Sequence, residues 1–357
     1  MNTINKILLA IALSVSLISS AFAGEMKVTG SAKASYSVIS SDSTTAAIQS
    51  RQGLGISNEL SFSAAGEMMP GYTWTYQLDF DQADRTVAGG GIDDSQIVIT
   101  TPFGNVGLMN SEGSLRSAAY AWDVSAFGAG SDNGYGEGME IGYELSSVNN
   151  VQYHTPAGLL PFGITAKVGH GRQDAGPIDF KSSGTSAMPL MGTTQTQGSA
   201  GLSAKTVGDI YESVTQYTVS AAPIAGLTLA VDYTDIDAGF ATANKGEEGH
   251  VAAKYAAGPL TVGYGRGYIS PVQAAAAATN IESYKNESYG VGFKVNSDLS
   301  VSYTEEKSKA ATMTKSANNT TLKVKSMQLA YNLGGATLAV SADTIDNATY
   351  RKNKDVK

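Results

Sequence analysis

Side chains that could perform acid–base, nucleophilic or metal chemistry are few and scattered in this sequence. The three histidines, His154, His170 and His250, stand in no metal-ligand spacing such as H-E-x-x-H. No G-x-S-x-G motif precedes a helical segment, and cysteine is absent, which removes thiol catalysis and disulfides. The chain is therefore predicted not to be an enzyme, with a hydrolase as a minor alternative.

Ligand-binding motifs are equally weak. The run 263–267, Gly-Tyr-Gly-Arg-Gly, lacks the Lys-Ser/Thr ending of a phosphate loop and lies on a predicted strand. Ca²⁺ could be bound by the acidic pairs Asp93-Asp94 and Glu247-Glu248, which we place at loop tips, where such pairs are usually solvated. No other cofactor is predicted.

The chain contains few charged residues. Charged residues make up 16% of the 357 residues, against about 25% in a typical soluble domain. The net charge of −8 and the lack of a basic stripe argue against a nucleic-acid partner. Forty glycines and eighteen tyrosines suit tight turns and an interface that is apolar on one side and wet on the other.

An alternating pattern over 54–80 indicates the elements that organise the chain. Apolar side chains occupy every second position around Leu60 and Phe62, and again from Tyr72 to Phe80 after a Pro-Gly turn. Such period-two alternation is typical of an amphipathic antiparallel hairpin. Its apolar face could meet a soluble core or a lipid bilayer.

The N-terminus carries an export signal. Lys6 precedes the apolar run 7–18, and Ala21-Phe22-Ala23 forms a small-x-small cleavage site. We predict a signal peptide over residues 1–23 and a mature chain, 24–357, that forms one domain.

The spacing of the strands decides between core and bilayer. Fifteen strands can be placed by parity, and short connections alternate with long ones along the chain. This alternation is typical of a transmembrane antiparallel β-barrel, whose strand ends face two compartments. An odd strand count leaves an unpaired edge, so we expect a 16-stranded type whose C-terminal strand is missing from the sequence. Three charged residues fall on the apolar parity and are placed above the bilayer: Arg266, Lys323 and Lys325.

The sequence resembles the Gram-negative porins, trimeric 16-stranded channels of the outer membrane. The resemblance rests on the signal peptide, the first strand from Val28 to Tyr36, and two segments at 101–108 and 149–153. It implies that the third long loop, about 110–140, folds into the barrel and narrows the pore. The implied constriction pairs loop residues with lysines on the opposite wall: Glu112, Arg116, Asp123, Asp132 and Glu137, with Lys33, Lys167, Lys254 and Lys294. A solvated surface loop is the alternative.

These features predict passive diffusion of small hydrophilic solutes and ions across a bacterial outer membrane. With Glu140 the loop carries five acidic residues against four wall lysines, so a mild cation preference is expected. The expected partners are outer-membrane lipid, the solutes, and two further copies in a homotrimer. A substrate-specific channel, or a plugged barrel that acts as an adhesin or structural surface protein, remains open.

Overall fold

The computed structural model describes residues 26–42, 49–81, 92–110, 113–129, 139, 142, 145, 149–172, 213–237, 246–272, 281–313, 320–350, 352 and 355–357. The predicted signal peptide lies outside these residues. Within them, no helix is long and apolar enough to cross a membrane.

Antiparallel strands dominate the described residues. There are fifteen: β1 (Lys27–Asp42), β2 (Gln49–Met69), β3 (Tyr72–Asp81), β4 (Ile92–Thr101), β5 (Gly104–Asn110), β6 (Asn150–His154), β7 (Thr165–Arg172), β8 (Ser213–Ala221), β9 (Leu227–Asp237), β10 (Gly246–Ala257), β11 (Leu260–Ser270), β12 (Ile281–Lys294), β13 (Leu299–Thr312), β14 (Thr321–Asn332) and β15 (Thr337–Asp346). One short α-helix, α1 (Ser117–Tyr120), follows β5, and 3₁₀ turns lie at Pro161–Gly163 and Ala348–Tyr350.

The strands form a single sheet in which each is hydrogen-bonded to its sequence neighbours, from β1 to β15. Val356 forms bridges to Ser41 on β1 and to Ile345 on β15. Because one residue reaches both edge strands, the sheet curves round on itself. The fold is the predicted all-β transmembrane barrel.

The hairpin of β2 and β3 shows how the sequence sets the register. Leu60 pairs with Phe80, and Phe62 with Leu78, so their apolar side chains share one face. The rings of Phe62 and Phe80 lie 5.5 Å apart in an edge-to-face arrangement. Gly71 closes the turn with φ of 82°, a conformation that side chains disfavour.

The two faces of the sheet differ in polarity, as the alternation predicts. Gln216 and Thr218 on β8 face the interior and are buried, whereas Tyr217 between them is 48% exposed on the outer face. Similarly exposed tyrosines lie on the outer face of other strands: Tyr233, Tyr255, Tyr264 and Tyr331. The outer face of the sheet, in the parts of the strands near the short turns, is therefore apolar and aromatic, which suits contact with lipid.

Several strands extend further toward the long loops than the alternation predicts. We place β12 from residue 289 and β14 from residue 327, but these strands begin at Ile281 and Thr321. In the added segments the polarity of the two faces is inverted. The apolar side chains point into the barrel and the charged ones point outward, so an apolar side chain no longer marks lipid contact there. Leu322 and Val324 are buried inside, while Lys323 and Lys325 occupy the alternate, outward positions.

An apolar cluster inside the barrel explains this inversion. At the long-loop end, inward-facing residues of β8, β9 and β11 to β15 pack with parts of the connections: Leu115, Met139, Leu145, Val214, Ile236, Ile269, Val272, Tyr284, Ala310, Leu322, Val324, Ile345, Ala348, Tyr350 and Val356. Burial of these side chains stabilises the loop-side rim. We call this group the rim cluster.

Candidate functional site: a loop held on the inner wall

The connection between β5 and β6, residues 111–149, lies partly inside the barrel, and we call it loop 3. Its described part, 113–129, includes α1, which packs against β9, β10 and β11. The segment follows the inner wall from β8 to β14, where it is held by the hydrogen bonds described below.

The first part of loop 3 is held by polar side chains of β8. The backbone N–H of Leu115 donates to Oε1 of Gln216 at 3.1 Å, and the Thr218 hydroxyl donates to the Leu115 carbonyl. Gln216 in turn donates to the hydroxyl of Thr234 at 2.7 Å. Since Gln216 is fully buried, losing its partners would leave polar atoms without solvent.

Asp232 on β9 makes the second attachment. Its Oδ2 accepts hydrogen bonds from the backbone N–H groups of Ala118 at 2.7 Å and Ala119 at 3.3 Å. Its Oδ1 lies 2.7 Å from Nδ1 of His250 on β10. Both side chains are almost completely buried, so this carboxylate joins the loop to two wall strands.

Four glycines on the inner wall make room for the middle of loop 3. A Cβ atom at Gly263 would lie 1.8 Å from the Trp122 carbonyl oxygen, and one at Gly265 would lie 2.6 Å from the Trp122 ring. On β12, a Cβ at Gly290 or Gly292 would meet Val124 at 2.8 or 2.6 Å. Trp122 is 2% exposed, so the loop packs directly on the wall backbone here.

The last described part of loop 3 contacts β13 and β14 on the inner wall. The N–H of Ala126 donates to the Ser302 hydroxyl of β13 at 2.8 Å. Gln328 of β14 accepts from the N–H of Phe127 at 3.2 Å and donates to the carbonyl of Gly128 at 2.6 Å. Loop 3 is thus attached to at least four strands and lies along the wall.

The predicted pair of Asp123 and Lys254 is brought together, although not across the pore. Lys254 Nζ donates to the backbone carbonyl of Asp123 at 3.3 Å, and the Asp123 carboxylate accepts from Ser125 within the loop. A cleft of about 780 Å³ beneath the loop is lined by both residues and by Lys294. Our placement of Lys254 and Lys294 on the opposite wall is wrong, because loop 3 lies on the strands that carry them.

The remaining predicted residues are separated. Arg116 is buried in loop 3, with its guanidinium carbon 5.8 Å from the centre of the Tyr120 ring. Lys33 lies on β1, which the described residues of loop 3 do not contact, and Lys167 lies on β7 opposite His154 and Thr218. Glu112, Asp132 and Glu137 lie outside the described residues.

Calcium binding by the two acidic pairs is not favoured by their position. Asp93-Asp94 and Glu247-Glu248 fall within β4 and β10 and not at loop tips. The side chains of Glu247 and Glu248 point to opposite faces of the sheet. Tyr233 donates to Glu247, whereas Thr234 donates to Glu248 inside the barrel. In the parts of the chain that the structure covers, no group of three acidic or histidine side chains could hold a metal ion.

Sequence reasoning missed most residues that hold loop 3. Gln216, Thr218, Ser302 and Gln328 are ordinary polar residues on the inward parity, and nothing in their type marks an attachment. His250 is buried against Asp232, and nothing in its position in the sequence indicated this contact. The glycines carried a usable signal, since glycine inside a strand often marks a close backbone approach.

A closed antiparallel sheet with a polar interior and an inward loop defines a membrane channel of the barrel type. Residues 8–285 match the family model described as Gram-negative porin, and the chain belongs to that family. Its place is therefore the outer membrane, where the family and fold point to a diffusion channel and not to an enzyme. A search of curated proteins gave no match.

Solved structures share the fold at low sequence identity. Salmonella typhi OmpF in complex with daunomycin is 10% identical with a TM-score of 0.60, over 93% of this chain and 95% of that chain. An anion-selective porin from Comamonas acidovorans is 13% identical with a TM-score of 0.58, over 93% and 98%. The trimer form of OmpT from Vibrio cholerae is 13% identical with a TM-score of 0.56, over 90% and 88%.

Proposed function

We propose that the barrel passes small hydrophilic solutes and ions, with a mild preference for cations, past a constriction formed by loop 3. The observation that carries the cation preference is the charge of the wall that the described part of loop 3, residues 113–129, does not contact. On β15, β2 and β3 this wall has inward carboxylates at Asp343, Glu59 and Asp79, and β1 contributes the ammonium of Lys33. Lys254, on the covered side, is held by the loop itself.

Three charged residues near the short turns leave the carboxylates in excess. Lys27 on β1 and Glu67 on β2 face inward at that end and offset each other, and Lys167 on β7 adds one ammonium, so three carboxylates face two ammonium groups. Charged side chains lining a pore set which ions enter, and carboxylates favour cations. Planar-bilayer recording of the refolded protein in a KCl gradient tests the proposal directly: a zero-current potential of the anion-selective sign would refute the cation preference.

Removing two lumen carboxylates is expected to weaken this preference. In the double variant Glu59→Gln with Asp343→Asn, the ratio of K⁺ to Cl⁻ permeability should fall by about twofold, because the field at the wall loses two negative charges. A matched control, Glu247→Gln with Glu287→Gln, removes two carboxylates from the outer face and should leave the ratio unchanged. Equal shifts in both variants would show that the wall carboxylates do not set selectivity.

One observation favours the alternative of a plugged barrel. The rim cluster fills part of the lumen at the long-loop end with apolar side chains, and the Tyr350 hydroxyl is 2.6 Å from the Ser308 hydroxyl there. A plug at this level would leave the barrel without conductance. Single-channel recording separates the two functions, since a plugged barrel gives no current steps.

The outer face of β1 and β2 supports assembly with further copies. Tyr36, Val38 and Leu54 are each at least 65% exposed and lie in the loop-side halves of the two strands. A single barrel would leave this apolar surface against the headgroup region, whereas contact with a second copy would bury it. We propose a homotrimer, as in the trimer form of the Vibrio cholerae protein. Native mass spectrometry of the detergent-solubilised protein gives the copy number.

A further inference from the structure

The cleft beneath loop 3 contains charged side chains that the proposed cation preference does not use. Its volume is about 780 Å³, and its walls are residues 123–126 of loop 3, parts of β9 to β13, and parts of the short turns that follow β8 and β10. Because these turns belong to its wall, the cleft extends from loop 3 to the short-turn end of the barrel. It therefore lies beside the path that a solute would take after passing loop 3.

Among the described residues, three charged side chains line this cleft: Asp123, Lys254 and Lys294. Lys254 Nζ donates to the backbone carbonyl of Asp123 at 3.3 Å, which uses one of the three N–H groups of its ammonium. Lys294 is exposed at the end of β12 and forms no ion pair with another residue that the structure describes. Both lysines thus keep N–H groups for a ligand.

The strand register sets the spacing of the two lysines on the inner face. Thr261 of β11 pairs with Ala256 of β10 and with Gly292 of β12. Lys254 precedes Ala256 by two residues, and Lys294 follows Gly292 by two residues, so the lysines lie diagonally on opposite sides of Thr261. Diagonal neighbours on one face of a sheet are about 7–8 Å apart, which a long side chain can span. A ligand over Thr261 can therefore contact one lysine at each end.

Small side chains form the floor between the lysines. Ala256, Thr261 and Gly292 leave space above the sheet, and the hydroxyl groups of Thr261 and of Ser300, which pairs with Lys294, can donate hydrogen bonds. A Cβ atom at Gly292 would lie 2.6 Å from the Val124 carbonyl oxygen, so loop 3 closes one side of the cleft there. The floor thus suits a short ligand with an anionic group at each end.

The carboxylate of Asp123 adds one negative charge at the loop edge of the cleft. Its two oxygens accept from the N–H of Ser125 at 2.9 Å and from the Ser125 hydroxyl at 2.8 Å. A carboxylate has about four lone-pair sites, so Asp123 can accept from a ligand as well. Since Lys254 contacts the Asp123 backbone, one positive and one negative group lie together at this end, and Lys294 lies at the other.

We propose that this cleft binds acidic α-amino acids, which carry two carboxylates and one ammonium group. The α-carboxylate and the α-ammonium are attached to one carbon and pair with Lys254 and Asp123. The side-chain carboxylate extends over Thr261 to Lys294. Each charged group of the ligand then meets a group of opposite charge, in hydrogen bonds that are stronger than those between neutral groups. This inference rests on the proposed passage of solutes and names a class that the channel would retain.

The test uses the full refolded protein in dodecyl maltoside at low salt, with binding followed by ligand-observed NMR. L-glutamate is the probe, glutamine lacks its side-chain carboxylate, and glutarate lacks its ammonium. We expect glutamate to bind about fivefold more tightly than either, because each analogue loses one ion pair in a wet cleft. Absence of glutamate binding, or equal affinity for all three, would refute the proposal. Displacement of glutamate by equimolar inorganic phosphate would show an unselective anion site and would also refute it.

Lys294→Gln tests the distant end of the site without altering a described attachment of loop 3. It should remove the fivefold preference for glutamate over glutamine, since the side-chain carboxylate loses its partner. The matched control is Lys27→Gln, which removes an inward lysine at the short-turn end of β1 that does not line the cleft. The control should keep the preference. Loss of the preference in both variants would assign the effect to net charge and overturn the site.

Asp123→Asn tests the end next to loop 3, and an asparagine can still accept from the N–H of Ser125. Glutamate binding should weaken by about fivefold because the α-ammonium loses its partner, whereas glutarate binding should strengthen because a repelling charge is gone. A change in the same direction for both ligands would contradict the role of Asp123. Binding in detergent requires no current, so the amino-acid site and the proposed cation preference can fail separately.

Discussion

A valine at Gly263 is expected to displace loop 3 from the barrel wall and to lower single-channel conductance. The first side-chain carbon would lie 1.8 Å from the Trp122 carbonyl oxygen, a distance that no packing tolerates. The wall strand is hydrogen-bonded on both sides, so the loop must move, and it can move only into the lumen. Overpacking of this kind costs about 1–3 kcal/mol of stability. Conductance in planar bilayers and thermal unfolding in detergent measure the two effects.

Gly249 offers a matched control for this substitution. It lies on the adjacent strand β10, but a Cβ there would face outward and meet only ordinary contacts, with the Asp232 carbonyl oxygen at 3.6 Å. Gly249→Val should therefore leave conductance unchanged. If Gly263→Val also left it unchanged, loop 3 would not pack on the wall as described.

Replacing Asp232 with alanine is expected to release α1 from the wall and produce an unstable, noisy channel. The substitution leaves the N–H groups of Ala118 and Ala119 without their acceptor and His250 without its partner, all in a buried site. Breaking such an arrangement costs about 3 kcal/mol. Open-channel current noise and the unfolding temperature in detergent report the loss. The exposed turn variant Asp298→Ala removes the same side chain from a site that contacts no part of loop 3 and should change neither.

A double-mutant cycle distinguishes the interaction between Asp232 and His250 from nonspecific destabilisation of the fold. His250→Ala added to Asp232→Ala should cost little more than Asp232→Ala alone, because the two side chains act through one contact of 2.7 Å. Fully additive losses would show that His250 and Asp232 contribute independently and would contradict their action through one contact.

The positions of the strands could be predicted from the sequence, but their full lengths could not. Alternation located all fifteen strands, and the short turns, such as Pro70-Gly71, limited them correctly at one end. At the other end, β13 continues to Thr312, past the limit at 305 that parity predicts. Parity could not extend it, because residues such as Lys307 and Lys309 point outward where the pattern requires apolar side chains. The rule that outward side chains are apolar applies only where the outer face contacts acyl chains, and these strand ends extend beyond them.

The candidate site was predictable in outline only. The length of the third connection indicated an unusual loop, and the resemblance implied that it turns inward. Which wall it covers depends on contacts far apart in sequence, such as Ala126 with Ser302 and Phe127 with Gln328. Each partner is common on a polar inner face, so no local pattern could select them. The misplacement of Lys254 follows directly from this limit.

The inverted polarity at the loop-side strand ends gives the barrel two different hydrophobic thicknesses. On β1, outward apolar residues run from Val28 to Val38, a span of about 33 Å along the strand. On β11, the corresponding run from Leu260 to Tyr264 ends at Arg266 after about 13 Å. Acyl chains beside β11 must therefore shorten or tilt, and this mismatch would favour assembly through the taller side. The protein would thin the lipid leaflet on the side of the barrel that carries β11.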